Sequence, residues 1–268
     1  MTDLDEPVIV RRARPAGDPA EHRPVRVLLM HGLASSGTSW ERFVRLASGD
    51  CELWVAELPW RGGGVPGWAE RDDVGRWAAE AMARVPGGAD VVVAHSFGAN
   101  TLLAHLAATA DLPRAVVLVS PFYRPSADDF DWAAIDYYLN EFHRILADGI
   151  RVRSGGRLEP RLQTDMALKV RERVGPYGWV RFFDTYLRTP HLPLAGIDVP
   201  CLVVAGETDF AAFPADAIAL AGALPDARAH VVAGCGHFVM AERAEEFAAL
   251  VDGFLRDILH DRALESLT

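Results

Sequence analysis

A serine framed by small residues, at the junction of a buried strand and a helix, constrains this chain more than any other feature. Ala94-His95-Ser96-Phe97-Gly98 follows the apolar run Val91-Val92-Val93 and precedes Asn100-Thr101-Leu102-Leu103-Ala104. The β-branched run reads as a buried strand and the Ala/Leu-rich stretch as a helix. A strand that turns into a helix through a serine does so sharply enough for bulky neighbours to clash. The turn lifts the hydroxyl above the sheet, which is the design of a nucleophile elbow. The usual pattern is G-x-S-x-G, and here Ala94 holds the first glycine position. One extra methyl is what the turn must accept.

The order of elements around that serine predicts an α/β chain. Val8-Ile9-Val10 opens an edge strand, residues 15 to 24 form a Pro-rich and charged loop, and Val25 to Met30 is a strand running into His31-Gly32. Ser39 to Ala47 reads as a helix, Leu53 to Ala56 as a strand, and Asp72 as the cap of a helix through Met82. After the elbow, Ala115 to Val119 is another short strand. Such alternation implies a mostly parallel central sheet flanked by helices on both faces. From Pro121 to about Ala195 the rhythm stops, and aromatic residues recur in helical patterns broken by Gly155-Gly156 and Gly175-Pro176. It resumes with a strand at Cys201 to Ala205, a helix near 215 to 224, a strand at Ala229 to Val232 and a last helix from about Ala244 to Ile258. The reading is a core in two parts, residues 1–121 and 196–268, with an inserted helical cap at 122–195.

Composition narrows the partners. With 268 residues, 50% of them hydrophobic, the chain can bury a sizeable core. A net charge of −10 disfavours nucleic acid, whose phosphates need a basic face. The acidic opening Met1-Thr2-Asp3-Leu4-Asp5-Glu6 is not a secretory signal, and no apolar run reaches membrane-spanning length. Cys51, Cys201 and Cys235 are odd in number and show no CxxC spacing, so buried reduced thiols in a cytoplasmic protein are expected. Lys169 is the sole lysine against many arginines, as in a GC-rich bacterial gene. The implied partner is a small molecule.

A serine hydroxyl is a poor nucleophile at neutral pH and needs a base, which in turn needs an orienting acid. Gly206-Glu207-Thr208-Asp209 follows one strand and Gly234-Cys235-Gly236-His237-Phe238 the next. In a parallel sheet both loops lie at the same edge as Ser96, so Ser96, Asp209 and His237 can meet there. Attack on a carbonyl also needs donors for the developing oxyanion. The backbone N–H groups of Phe97, at a helix start, and of Leu33, after His31-Gly32, are the candidates.

His31-Gly32-Leu33-Ala34-Ser35-Ser36-Gly37-Thr38-Ser39-Trp40, the elbow, and the Asp209 and His237 loops together resemble the α/β-hydrolase superfamily. Within it they are similar to the capped branch of small-molecule esterases, C–C bond hydrolases and cofactor-free haloperoxidases. The resemblance covers about residues 25 to 121 and 196 to 258. It implies the α/β-hydrolase fold, a Ser96–Asp209–His237 triad and no cofactor. Glu57-Leu58-Pro59-Trp60-Arg61-Gly62 departs from that branch by placing Trp60 where a glycine is common, which points to a narrowed site. Ser96 excludes the dehalogenase and epoxide-hydrolase chemistries of the superfamily, which use an aspartate at the elbow. A type II thioesterase stays open, although its usual opening motif is not visible around His31.

Competing assignments are weaker. His31 and His95 flank tight turns and read as structural, and no His pair has metal-site spacing, so no metal is expected. Asp128 and Asp129 fall in the cap, without the strand-end context of Asp209. Cap residues Trp132, Tyr137 and Tyr138 form the densest aromatic cluster and are the candidates for touching substrate. Three functions remain open at this stage. They are hydrolysis of an ester or thioester of a small, mainly apolar molecule through an acyl-serine, a non-hydrolytic step on the same triad, and binding alone.

Overall fold

The computed structural model describes residues 7–17, 23–65, 67–70 and 73–265. The first part of the chain runs through β1 (Ile9–Arg14), β2 (Val25–Met30), α1 (Glu41–Leu46), β3 (Cys51–Glu57), α2 (Gly75–Ala83), β4 (Val91–His95), α3 (Phe97–Leu106) and β5 (Ala115–Val119). Two long helices follow, α4 (Trp132–Ser154) and α5 (Pro160–Leu187). The chain then continues through β6 (Cys201–Gly206), α6 (Pro214–Ala223), β7 (Ala227–Val232), α7 (Val239–Glu242) and α8 (Ala244–Glu265). The strands form one seven-stranded sheet in the order β1-β3-β2-β4-β5-β6-β7. Only β1, at the edge, is antiparallel to its neighbour β3.

Burial on both faces explains why the central strands are unbroken apolar runs rather than alternating ones. Val91 and Val93 of β4 face one side, packed with Trp40, with Phe43 of α1 and with Phe247 of α8. Val92 and Ala94 face the other, packed with Trp77 of α2, Leu102 of α3 and Leu220 of α6. Tyr138 and Phe182, from the two long helices, belong to that second core, so these helices are continuous with the body of the protein. A fully buried Val or Leu contributes roughly 1.5–3 kcal/mol, which makes the β4 run a substantial anchor for the residue that follows it.

Local chemistry sets the limits of the long helices. Asp131 caps α4 by accepting the Ala134 N–H at 2.8 Å, and Gly155 ends it in the left-handed conformation. Pro160 opens α5 in its first turn. Gly175, at φ 67°, breaks α5 and Pro176 restarts it, as the Gly-Pro pair suggests. Two helices differ from expectation. Gly37–Trp40 forms a 3-10 turn, so α1 begins only at Glu41. Asp72 lies outside the described residues, and it is Asp73 whose carboxylate accepts an N–H, that of Arg76, at the start of α2.

Candidate active site

Ser96 stands between β4 and α3 with φ 55° and ψ −127°, a conformation that non-glycine residues rarely adopt. Its N–H is tied to the Val119 carbonyl at 2.8 Å. The turn closes because its neighbours are small. A Cβ on Gly98 would stand 2.6 Å from the His31 carbonyl oxygen, and one on Gly32 would stand 2.9 Å from Ser96 Cβ. Ala94 creates no such conflict, since it is still in regular strand, paired with Met30 and Leu118, and its methyl is buried in the core.

The loops after β6 and β7 bring the partners. His237 Nε2 lies 3.0 Å from Ser96 Oγ, and His237 Nδ1 lies 2.7 Å from Asp209 Oδ2. The other Asp209 oxygen accepts the N–H groups of Ala211 and Ala212 at 2.9 and 3.0 Å. The two loops are stitched together: the Thr208 N–H and hydroxyl both donate to the Cys235 carbonyl, and Glu207 accepts the Gly234 N–H. Gly206 is where they approach most closely, because a Cβ there would meet the Gly236 and Cys235 carbonyl oxygens at 2.1 and 2.4 Å. Burial disfavours a charged His237 ring, but the charge and hydrogen bond of Asp209 outweigh it, so its pKa lies above the usual histidine value.

The other two histidines at this edge serve the backbone. His31 Nε2 accepts the Leu58 N–H at 2.9 Å while Nδ1–H donates to the Gly32 carbonyl at 2.8 Å. Burial lowers its pKa to about 4, which keeps the ring neutral in this arrangement. His95 Nε2–H donates to the His237 carbonyl at 3.0 Å, and burial again holds its pKa well below the usual value. The three cysteines are buried free thiols, and burial pushes Cys235 up to about 12. Among the described residues no group of His, Cys, Asp or Glu could hold a metal ion. Nor is any helix among them long and apolar enough to cross a membrane.

Leu33 lies in the turn beyond β2, where the Ala34 N–H goes to the Trp60 carbonyl and the Ser35 N–H to that of Gly32. Among the described residues the Leu33 and Phe97 N–H groups have no acceptor. Phe97 opens α3, so its amide is one of those that a helix leaves free at its N-terminus.

Above Ser96 lies a narrow cavity of about 40 Å³, bounded on the core side by Leu33, Phe122 and Phe238 and on the helical side by residues of α4 and α5. The α4 residues that face it are Phe142, Ile145, Leu146, Gly149 and Arg153, a stripe at helical spacing, and α5 adds Val170 and Phe182. Gly149 is required there, since a Cβ would meet the Phe238 ring at 2.7 Å. The expected aromatic cluster is elsewhere. Trp132 is 83% exposed at the start of α4. Tyr137 donates its hydroxyl to the Phe210 carbonyl and Tyr138 to that of Ala211, both at 2.7 Å, so these rings face the loop that follows Asp209 rather than the cavity. Trp60 does not line the cavity either. It is buried beneath the turn, edge-on to Phe97 at 4.9 Å, and donates to the His31 carbonyl. Asp128 and Asp129 sit in a capping box with Ser126 on the surface. The stripe from Phe142 to Arg153 was available as an i, i+3, i+4, i+7, i+11 pattern, but the direction it faces is a matter of helix rotation.

A model of the alpha/beta hydrolase family matches residues 27–250, and the chain belongs to that family. Among solved structures, Est816, described as an N-acyl homoserine lactone degrading enzyme, superposes with a TM-score of 0.66 at 20% identity, over 92% of this chain and 96% of that one. The enol-lactonase from Burkholderia xenovorans LB400 gives 0.65 at 22% identity, over 93% and 96%. A thermophilic esterase from Thermogutta terrifontis gives 0.63 at 19% identity, over 94% and 93%. At these identities the likeness is one of fold. A search of curated protein sequences finds no match.

Proposed function

We propose that this alpha/beta hydrolase is a serine hydrolase that cleaves an ester or thioester of a small, mainly apolar molecule. The observation that carries the reading is the unbroken relay from Asp209 through His237 to Ser96, at 2.7 and 3.0 Å, beneath a largely apolar cavity. Ser96 Oγ–H donates to His237 Nε2, which takes the proton as the oxygen attacks the carbonyl carbon. Asp209 accepts from Nδ1–H, fixes the tautomer and stabilises the imidazolium. The Leu33 and Phe97 amides receive the oxyanion, each worth about 2.7–4 kcal/mol of barrier by mutational precedent. His237 then returns the proton to the leaving group, and water releases the acid from the acyl-serine by the same steps. The esterase and lactonase relatives in fold are consistent with this chemistry.

The test is covalent. A fluorophosphonate should add a single mass to the protein, located on Ser96, and Ser96→Ala should abolish both labelling and release of acid from a panel of p-nitrophenyl esters. Labelling that persists in that variant, or is found on Cys235, overturns the proposal.

A further inference from the structure

We infer that Arg153 forms an anion subsite of this cavity and that the substrate is an ester whose apolar body carries a carboxylate. The inference rests on the serine-hydrolase reading and specifies its substrate class. On the cavity-facing stripe of α4, four apolar or small positions are followed one turn later by a single arginine. Ser96 and His237 line the same cavity, and among the described residues no other lysine or arginine does.

Arg153 has no hydrogen bond, ion pair or ring partner among the described residues. Its neighbour Arg151 shows that carboxylates were available nearby, since it pairs with Asp148 at 2.7 Å and with Glu242 at 3.4 Å. Arg153 is not part of that cluster and instead lines the edge of the cavity. Arg153 is solvent-exposed, at the rim of the cavity, and the protein beside it lowers its pKa from the usual arginine value. It remains charged all the same. Without a counter-charge among the described residues, its donors are open to an anion that enters the cavity. An entering anion would complete the pairing.

The guanidinium presents a planar fork of donors that matches a carboxylate in two parallel hydrogen bonds. A lone cation suits a monoanion better than a phosphate dianion. The protein's net charge of −10 gives no general attraction for anions, so the preference would be set at this one residue.

Two matched pairs of substrates test it: p-nitrophenyl hydrogen pimelate against p-nitrophenyl heptanoate, and 3-carboxyphenyl heptanoate against phenyl heptanoate. In at least one pair kcat/KM should favour the carboxylated member. Arg153→Gln should lower that ratio tenfold or more, Arg153→Lys should restore part of it, and Arg153→Glu should invert it. A ratio unchanged by Arg153→Gln in both pairs, with only the melting temperature affected, makes Arg153 a helix-end residue and overturns the inference. A second arm needs no turnover: calorimetric titration of Ser96→Ala, with and without Arg153→Gln, using 6-phenylhexanoate and 6-phenylhexanamide. Tenfold weaker binding of the acid alone on loss of Arg153 supports the subsite even if every ester and the fluorophosphonate prove inert, in which case only the hydrolase reading falls. Equal loss for acid and amide, or no preference for the acid with Arg153 present, rejects the subsite.

Discussion

Ser96 is held in backbone strain of the kind that costs roughly 1–3 kcal/mol and persists only where the surroundings enforce it. Glycine adopts such a conformation freely. Ser96→Gly should therefore melt no lower than Ser96→Ala, although both lack the hydroxyl and both should be inactive; calorimetry of the pair checks this. The histidines around it titrate in opposite senses. His237 has a raised pKa, so its base form is lost as pH falls, and kcat/KM should decline on the acid side with a midpoint above 6.5. His31 is lowered from 6.5 to about 4, so the unfolded chain binds its proton first. The stability this gives is present above pH 6.5 and is lost as pH drops towards 4. Its magnitude is at most about 3 kcal/mol. Urea midpoints at pH 7.5, 5.5 and 4.5 should fall in that order, and a flat profile would exclude His31 as a source of acid sensitivity.

At the scale of elements, the two tyrosines of α4 grip successive carbonyls, Phe210 and Ala211, on the loop whose amides hold Asp209. Tyr138 is also within 3.3 Å of the Tyr186 hydroxyl of α5, which accepts from Arg124, so both long helices converge on this loop. Tyr138→Phe leaves a buried carbonyl short of a donor, a loss of about 1–3 kcal/mol. Its effect should fall on kcat more than on KM, because the acid shifts while the cavity wall stays in place. Steady-state kinetics separate the two, and a pure KM effect would return Tyr138 to the role of a substrate contact. The sequence offered these tyrosines as substrate contacts, whereas their hydroxyls go to loop carbonyls. Aromatic density shows that a helix has a buried side. Which residues on that side meet a cavity and which meet a loop depends on how the helix is rotated against the core, to which Phe142, Gly149 and Arg153 answer and Trp132 does not.

For the whole molecule, the edge that carries Ser96, Asp209 and His237 depends on two loops from non-adjacent stretches of chain being pressed together at Gly206. Gly206→Ala should force the Asp209 and His237 loops apart, lowering the melting temperature and slowing fluorophosphonate labelling together. If labelling keeps its wild-type rate, the contact is not what sets the relay. The alternation of strands and helices, the strand-end positions of Ser96, Asp209 and His237, and the breaks at Gly155 and Gly175 were all legible in the sequence. Each follows from local rules of periodicity, turn chemistry and chain order. The relay distances, the neutral backbone-bonded state of His31 and the buttressing place of Trp60 were not. Nor was the place of Arg153, exposed at the edge of a largely apolar cavity. They arise where elements distant in sequence are packed against each other, and only tertiary packing decides which faces meet, which carboxylates are already taken and which side chains come to line the cavity.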